Sequence, residues 1–232
     1  MSERYPQRAW ALPDDATEVL LVRHGASQDA IPDEPFEMVE GHSDPALSPI
    51  GAQQAQLVCA RLAKDPPDAL FVTRLQRTAQ TAQPLVDATN LVPTMIPELS
   101  EVRLGEWEGG ALRVRSAHGD PLVKQIFEEQ RWDVIPGAEP ADEFAERVRV
   151  GLDRVVELTG PGRVAAAVVH GGVIGEIARQ ATKAPRLAFV HAENTSISRL
   201  VVFGDGRWLL RTFNDTSHLE GFSGPPRAGE TL

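Results

Sequence analysis

Four side chains that could bind and attack a phosphate group stand just beyond apolar segments of the sequence. Arg23 and His24 follow one apolar run, Arg77 lies beyond a second, and His170 follows a third. Arginine offers a planar fork of hydrogen-bond donors and a histidinium offers positive charge, a combination that suits phosphate. If the three runs are strands of one parallel sheet, their ends share an edge and these side chains converge there.

The first of these segments, residues 17–27, allows two interpretations when it is taken alone. Residues 17–22 predict a buried strand, and Gly25 behind it would let a backbone amide approach an anion. Alternatively, Arg23 caps the strand and His24 makes an ordinary turn hydrogen bond. The two later strand ends favour the functional interpretation, because three such turns together would be an unusual coincidence.

Hydrolysis of a phosphate monoester needs a nucleophile, stabilisation of charge and a proton for the leaving oxygen. A neutral histidine can attack phosphorus if an acceptor holds its other ring nitrogen and fixes the tautomer. A carboxyl group near the bound phosphate can supply the proton. Segment 98–109 holds four candidates, among which the physical argument does not choose: Glu98, Glu101, Glu106 and Glu108.

Strands and helices alternate along the sequence, which indicates an α/β fold with a largely parallel sheet and an antiparallel edge. Ser48 is expected to cap a helix whose first residue is Pro49. The predicted strands span residues 17–22, 69–73, 94–96, 163–169, 196–203 and 208–213. The other predicted helices span residues 76–88, 119–131, 142–158 and 172–182.

The composition favours a soluble globular protein. Of the 232 residues, 42% are hydrophobic, which suffices for one domain over residues 17–222, between a polar arm at 1–16 and a flexible tail at 223–232. The net charge of -10 argues against nucleic acid or an anionic membrane as a partner. No signal peptide or membrane span is apparent, so we expect a cytoplasmic protein; nothing in the sequence excludes a homodimer.

Residues 28–40 form a strongly acidic segment. We expect a solvated surface loop there, because the segment is rich in charge and proline. The alternative is that it folds over the turn at Arg23 and His24, where its charge would discourage heavily anionic substrates. Its acidic residues are Asp29, Asp33, Glu34, Glu37 and Glu40.

Several segments together resemble the histidine phosphatase superfamily, branch 1, whose members are phosphoglycerate-mutase-like. The resemblance runs from about residue 17 to about residue 203, and its motifs are specific as a set. The matching segments are residues 22–27 (R-H-G-x-[ST]), 40–51 (G-x-x-D-x-x-L-[ST]-x-x-G), 73–82 (S-x-L-x-R-A-x-x-T-A), 99–109 (L-x-E-x-x-x-G-x-W-E-G), 168–172 and 193–196.

The resemblance implies a three-layer α/β/α fold in which His24 becomes phosphorylated. It gives Glu101 the role of proton donor and acceptor, and makes His170 a third catalytic residue. The phosphate ligands that it implies are Arg23, Ser27, Arg77 and His170. We expect no metal and no cofactor, because cationic side chains supply the charge stabilisation and the histidines lack a zinc-site spacing. The remaining histidines are given no role: His42, His118, His191 and His218.

These expectations favour a metal-independent phosphomonoesterase that acts on a small phosphorylated metabolite through a phosphohistidine. Two alternatives stay open: a phosphoglycerate-type mutase with the same catalytic residues, and a non-catalytic phosphate-binding module. Many family members carry Asn six residues after the nucleophile; Ala30 stands there in this chain and favours hydrolysis. Specificity is expected from residues 106–131 and the acidic loop, and the candidate walls are Trp107, Phe127 and Trp132.

Overall fold

The computed structural model describes residues 5–222. Residues 1–4 of the predicted arm and the predicted tail at 223–232 lie outside the described residues. The described part of the arm, residues 5–16, contains no helix or strand.

Most strands of the described chain belong to one mixed sheet. The strands are β1 (Thr17–Arg23), β2 (Met38–Val39), β3 (His42–Ser43), β4 (Ala69–Val72), β5 (Thr94–Met95), β6 (Val164–Val169), β7 (Ile197–Val202) and β8 (Trp208–Asp215). Six of them form the sheet in the order β5-β4-β6-β1-β7-β8, whereas β2 pairs with β3 separately. The first four strands of that order run parallel, β7 pairs antiparallel with β1, and β8 pairs antiparallel with β7. The predicted largely parallel sheet with an antiparallel edge is confirmed.

The helices mostly begin where the sequence predicts them. They are α1 (Pro49–Leu62), α2 (Gln76–Thr89), α3 (Ala111–Ala117), α4 (Pro121–Glu129), α5 (Ala141–Thr159) and α6 (Gly171–Thr182). Ser48 caps α1, since its hydroxyl accepts a hydrogen bond from the Gly51 amide at 3.1 Å. The prediction of a single helix at residues 119–131 was wrong in two respects. The helix begins at Pro121, and a further helix, α3, precedes it. Gly119, at φ +68°, separates the two helices, and Asp120 caps the second by accepting from the Leu122 amide at 3.0 Å.

Alternate residues of the central strands face two apolar layers. On β1, Val19 and Leu21 pack in the layer that α5 and α6 complete, whereas Leu20 and Val22 pack in the layer that α1 and α2 complete. A strand with both faces buried must be apolar throughout, which is why these segments are continuous apolar runs. The fold therefore has the three α/β/α layers that the resemblance implies.

The register of the parallel strands brings the three predicted turns to one edge of the sheet. Val22 of β1 is paired with Val168 of β6, and Val168 is paired with Val72 of β4. The residues that follow these valines therefore lie side by side at the carboxyl edge, where open α/β sheets bind ligands. The predicted convergence of the turns is confirmed.

Candidate active site

His24 lies in the turn after β1 and is buried. Its Nδ1 is 2.7 Å from the carbonyl oxygen of Gly25. Because a carbonyl oxygen only accepts, Nδ1 carries the proton and Nε2 carries the lone pair. Nε2 accepts a hydrogen bond from Nε of Arg77 at 3.2 Å. The ring is thus held in the tautomer that can attack phosphorus through Nε2.

The surroundings of His24 also keep its ring uncharged. Burial lowers the pKa of His24 well below the ordinary 6.5, and the positive charges of Arg77 and Arg23 lower it further. The imidazole is therefore neutral at neutral pH, and a neutral ring is the form that acts as a nucleophile.

His170 lies beside His24 at the end of β6 and is fully buried. The two ring centroids are 5.2 Å apart. Nε2 of His170 is 2.9 Å from Oγ1 of Thr73, and its Nδ1 has no hydrogen-bond partner among the described residues. When the Thr73 hydroxyl donates to Nε2, Nδ1 carries a proton that a phosphate oxygen can accept.

The protein surroundings of His170 oppose its histidinium form. Burial, followed by the charge of Arg77, lowers the pKa of His170 well below the ordinary 6.5. The protein surroundings alone therefore favour the neutral ring. A phosphate dianion bound at Nδ1 would oppose this shift by its negative charge, so protonation of His170 depends on the ligand.

Arg23 and Arg77 flank the two histidines. Arg77 is buried and donates to the Ser43 carbonyl at 2.9 Å; burial lowers its pKa to about 10, which leaves it charged at neutral pH. Arg23 donates to the Ala192 carbonyl at 2.5 Å, and its Nε is buried without a hydrogen-bond partner in residues 5–222. Two guanidinium groups beside a neutral histidine have the charge and the donors that suit a dianionic phosphate.

Glu101 reaches the same edge from the irregular segment after β5. Its carboxylate accepts hydrogen bonds from the amides of Gly172 at 3.1 Å and Val102 at 3.0 Å. Its backbone carbonyl accepts from Arg147 at 3.2 Å and from Nε2 of His42 at 2.8 Å. His42, which had no predicted role, therefore helps to hold the segment that carries Glu101.

The other three candidate carboxylates are engaged elsewhere. Glu108 accepts hydrogen bonds from two backbone amides, Glu98 pairs with Arg154 at 3.3 Å, and Glu106 is exposed. Of these four described carboxylates, Glu101 is the one that lines the cleft at the sheet edge. The geometry thus singles out the glutamate that the resemblance indicates.

Gly172→Ala is expected to lower kcat about 100-fold by displacing Glu101. A methyl group at position 172 would lie 2.4 Å from Oε1 of Glu101, so the carboxylate must move. Inhibition by inorganic phosphate should stay nearly unchanged, because the arginines that bind it are not displaced. Steady-state kinetics and thermal unfolding of the purified variant check this. Wild-type kcat in a folded variant would show that the position of Glu101 does not matter.

Ser27 is buried, but its hydroxyl is already bound to an arginine that the sequence motifs do not mark. Arg113 of α3 donates to Oγ of Ser27 at 2.6 Å and to the Gln28 carbonyl at 2.7 Å. Arg113 also lines the cleft together with Arg23 and Glu101. The predicted contact of Ser27 with phosphate stays a prediction, and the structure adds Arg113 as a third arginine at the site.

Gly25 is required for close packing of the turn against α1. Its amide donates to Oγ1 of Thr81 at 3.0 Å. A Cβ atom at position 25 would lie 2.5 Å from the carbonyl oxygen of Gly51, at the start of α1. The Gly25 amide itself is therefore bound within the protein, and the absence of a side chain lets the turn approach α1 closely.

A cleft of about 1140 Å³ opens from Arg23 and Glu101 between α3, α4 and the C-terminal segment. Two of the predicted aromatic walls, Phe127 and Trp132, line it. The prediction of Trp107 as a wall was wrong, because Trp107 is only 1% exposed and packs in a core cluster with Ile126 and Ile135.

The acidic loop lies outside this cleft. All five of its acidic residues are exposed, as expected of a solvated loop. The loop is anchored through Phe36, whose amide donates to the Gly109 carbonyl at 3.1 Å. None of the described residues that line the cleft comes from 28–40.

The free energy of unfolding is expected to fall as the pH drops below about 6.5. His24 and His170 have lowered pKa values in the folded protein, so the unfolded chain binds their protons first. Above that pH neither state binds these protons, and the effect vanishes. These two protons contribute up to about 2.7 kcal/mol per pH unit to the slope. His42 and His218, whose pKa values are also lowered by burial, add to it.

Urea unfolding at several pH values between about 7.5 and 5.5 measures this slope. His170→Asn should reduce the slope by up to about 1.4 kcal/mol per pH unit, because one proton is removed while the other histidines and the carboxylates stay the same. Identical slopes in the two proteins would contradict the assignment of His170 as a buried neutral histidine.

Two further observations concern residues 5–222. No group of three or more His, Cys, Asp or Glu side chains in this range is arranged to hold a metal ion. No helix of the same range has the length and apolar character needed to cross a membrane.

Comparison with known proteins identifies the family. The sequence matches the histidine phosphatase superfamily (branch 1) over residues 19–216. It is 30% identical over 227 residues to phosphoglycerate mutase-like protein 4 of Arabidopsis thaliana, covering 93% of this chain and 95% of that protein. It is 29% identical to a probable phosphoglycerate mutase of Yersinia enterocolitica, covering 88% and 95%.

A solved structure is similar over nearly the same range. A mycobacterial glucosyl-3-phosphoglycerate phosphatase superposes with a TM-score of 0.70 at 26% identity, covering 87% of this chain and 100% of that one. This likeness and the family match both span most of the fold described above. The chain belongs to branch 1 of the histidine phosphatase superfamily.

Proposed function

We propose that this protein is a phosphomonoesterase that forms a phosphohistidine at His24 and then hydrolyses it. The observation that supports the proposal most strongly is the tautomer and the neutral charge of the His24 ring. Its Nδ1–H is bound to the Gly25 carbonyl, and its neutral Nε2 faces Arg77. A buried histidine fixed in this way, beside two arginines, is suited to attack an electrophilic phosphorus.

In the first step the phosphate group binds between Arg23, Arg77 and His170. Nε2 of His24 attacks phosphorus in line, and the bond between phosphorus and the ester oxygen breaks. Glu101 in its protonated form gives its proton to the leaving oxygen. The alcohol then departs through the cleft that Glu101 lines.

In the second step water hydrolyses the phosphohistidine. The Glu101 carboxylate accepts a proton from the water, whose oxygen attacks phosphorus. The bond between phosphorus and Nε2 breaks, and inorganic phosphate leaves. Glu101 ends protonated and His24 neutral, so both return to their starting states.

Hydrolysis is expected to proceed without a metal ion, because the charges of Arg23 and Arg77 stabilise the transferring phosphoryl group. Excess EDTA should therefore leave the rate of phosphate release unchanged. The measurement is turnover of p-nitrophenyl phosphate after prolonged dialysis against the chelator. Loss of activity that a divalent ion restores would contradict the proposal.

A phosphoglycerate-type mutase is the second candidate, and the names of two similar proteins favour it. Such an enzyme would keep water from the phosphohistidine and return the phosphate to a second oxygen. The wide cleft and Ala30 favour hydrolysis instead. Incubation with 3-phosphoglycerate separates the two: release of inorganic phosphate supports a phosphatase, whereas isomerised phosphoglycerate without release supports a mutase.

A further inference from the structure

The half of the cleft beyond the phosphate residues is mostly apolar. Arg23, Glu101 and Gly172 mark the phosphate end. The walls of the other half come from α3, α4, the segment after α4 and the C-terminal segment. The apolar side chains that line it include Leu112, Val123, Phe127, Trp132, Leu219 and Phe222.

The charged residues of this half do not favour a second anionic group on the substrate. Glu193 and Glu220 line it and are exposed. Among its described residues Arg113 is the one arginine or lysine, and Arg113 already donates to Ser27 and Gln28. A carboxylate on the substrate would therefore meet more negative than positive charge.

The size of the cleft also favours a substrate with a large apolar part. Its volume of about 1140 Å³ lies just above the range for sites that bind drug-sized ligands. The phosphate ester of a three-carbon acid would leave most of the apolar wall in contact with water. An apolar group that covers the wall gains affinity by removing that surface from water.

We infer that the substrate is the phosphate monoester of an uncharged alcohol with a sizeable apolar body, which lies against Phe127, Trp132 and Leu219. The inference rests on the phosphatase function proposed above for the fate of the ester. This substrate class replaces the small phosphorylated metabolite that the sequence favours. The reaction consumes the ester and water and yields the free alcohol and inorganic phosphate.

The test uses n-alkylphosphonates from ethyl to hexyl, which keep the phosphate-like head and cannot be hydrolysed. Their affinity for the full-length protein, measured by titration calorimetry, should rise about fourfold for each added methylene. Inorganic phosphate should displace hexylphosphonate, because both heads occupy the site between Arg23 and Arg77. In parallel, kcat/KM for the matching alkyl phosphates should rise with chain length, since their leaving alcohols are of nearly equal acidity.

Two variants on different elements test the location of the alkyl chain. Phe127→Ala on α4 and Leu219→Ser in the C-terminal segment should each reduce the dependence of affinity on chain length, with phosphate affinity unchanged. Leu122→Ala is the matched control. Leu122 lies on α4 and packs in the same cluster around Trp107 as Phe127, but it is not among the described residues that line the cleft. It should keep the wild-type dependence.

The outcomes separate the two proposals. The inference is overturned if the affinity for phosphonates does not depend on chain length. It is also overturned if inorganic phosphate fails to displace hexylphosphonate. A higher kcat/KM for 3-phosphoglycerate than for hexyl phosphate also overturns it. If affinity rises with chain length but none of the alkyl phosphates is hydrolysed, the apolar ligand class is supported and the phosphatase function fails.

Discussion

Replacing His24 with alanine is expected to lower kcat for phosphate release by about 10⁵-fold or more, the scale of losing a covalent nucleophile. The variant keeps Arg23, Arg77 and His170, so it should still bind inorganic phosphate. The covalent route is removed, because Nε2 of His24 is the buried, neutral nitrogen placed among these residues. The residual rate should reflect only binding and electrostatic stabilisation.

Turnover of p-nitrophenyl phosphate measures this effect. The phosphohistidine is detected as a labelled phosphoryl group that stays on the protein after rapid quenching without acid. His118→Ala is the matched control, because His118 is exposed and its Nδ1 is bound to the Val114 carbonyl of its own helix. The control should keep full activity and labelling. Equal turnover by His24→Ala and wild type would remove His24 from the mechanism and favour a phosphate-binding module without phosphohistidine chemistry.

Replacing Glu101 with glutamine is expected to lower kcat for alkyl phosphates by about 10² to 10⁴-fold. Glutamine can still accept the hydrogen bond from the Gly172 amide, although its amide nitrogen cannot accept the bond from the Val102 amide. His42 and Arg147 still donate to the backbone carbonyl of residue 101, so the segment should keep its place. The loss should be smaller for the first step with p-nitrophenyl phosphate, whose leaving group needs no proton. Phosphohistidine should then accumulate, because its hydrolysis lacks a base.

A burst of p-nitrophenol followed by a slow steady rate is the kinetic sign of that accumulation. Glu106→Gln is the control on the same segment, since Glu106 is exposed and lies outside the described lining of the cleft. It should behave as wild type. A Glu101→Gln variant with undiminished turnover of alkyl phosphates would assign the proton transfer to another group.

The edge of the sheet that carries the site could be predicted from local patterns. The apolar runs before Arg23, Thr73 and His170 can be buried only as strands covered on both faces. Because parallel strands of similar length end at one edge, the turns behind them had to converge. The pairing of Val22 with Val168 and of Val168 with Val72 confirms this.

Other parts of the site depend on contacts between residues far apart in the chain. Arg113 reaches Ser27 across 86 positions, and α3, which carries it, is flanked by glycines that obscure a short helix. Gly172 supports Glu101 across 71 positions. Neither contact leaves a periodic pattern, so neither could be predicted from spacing.

The sequence by itself determined the α/β layers, the edge at which the turns meet, and a family whose motifs name His24, Arg77, Glu101 and His170. These follow from apolar periodicity and short motifs, which are local properties of the chain. The tertiary structure alone decided the tautomer of His24, the lowered pKa of His170, the choice of Glu101 by geometry and the apolar cleft beyond it. Each of these depends on burial and on partners from distant segments, because pKa values, hydrogen-bond geometry and cavity shape are set by the folded surroundings.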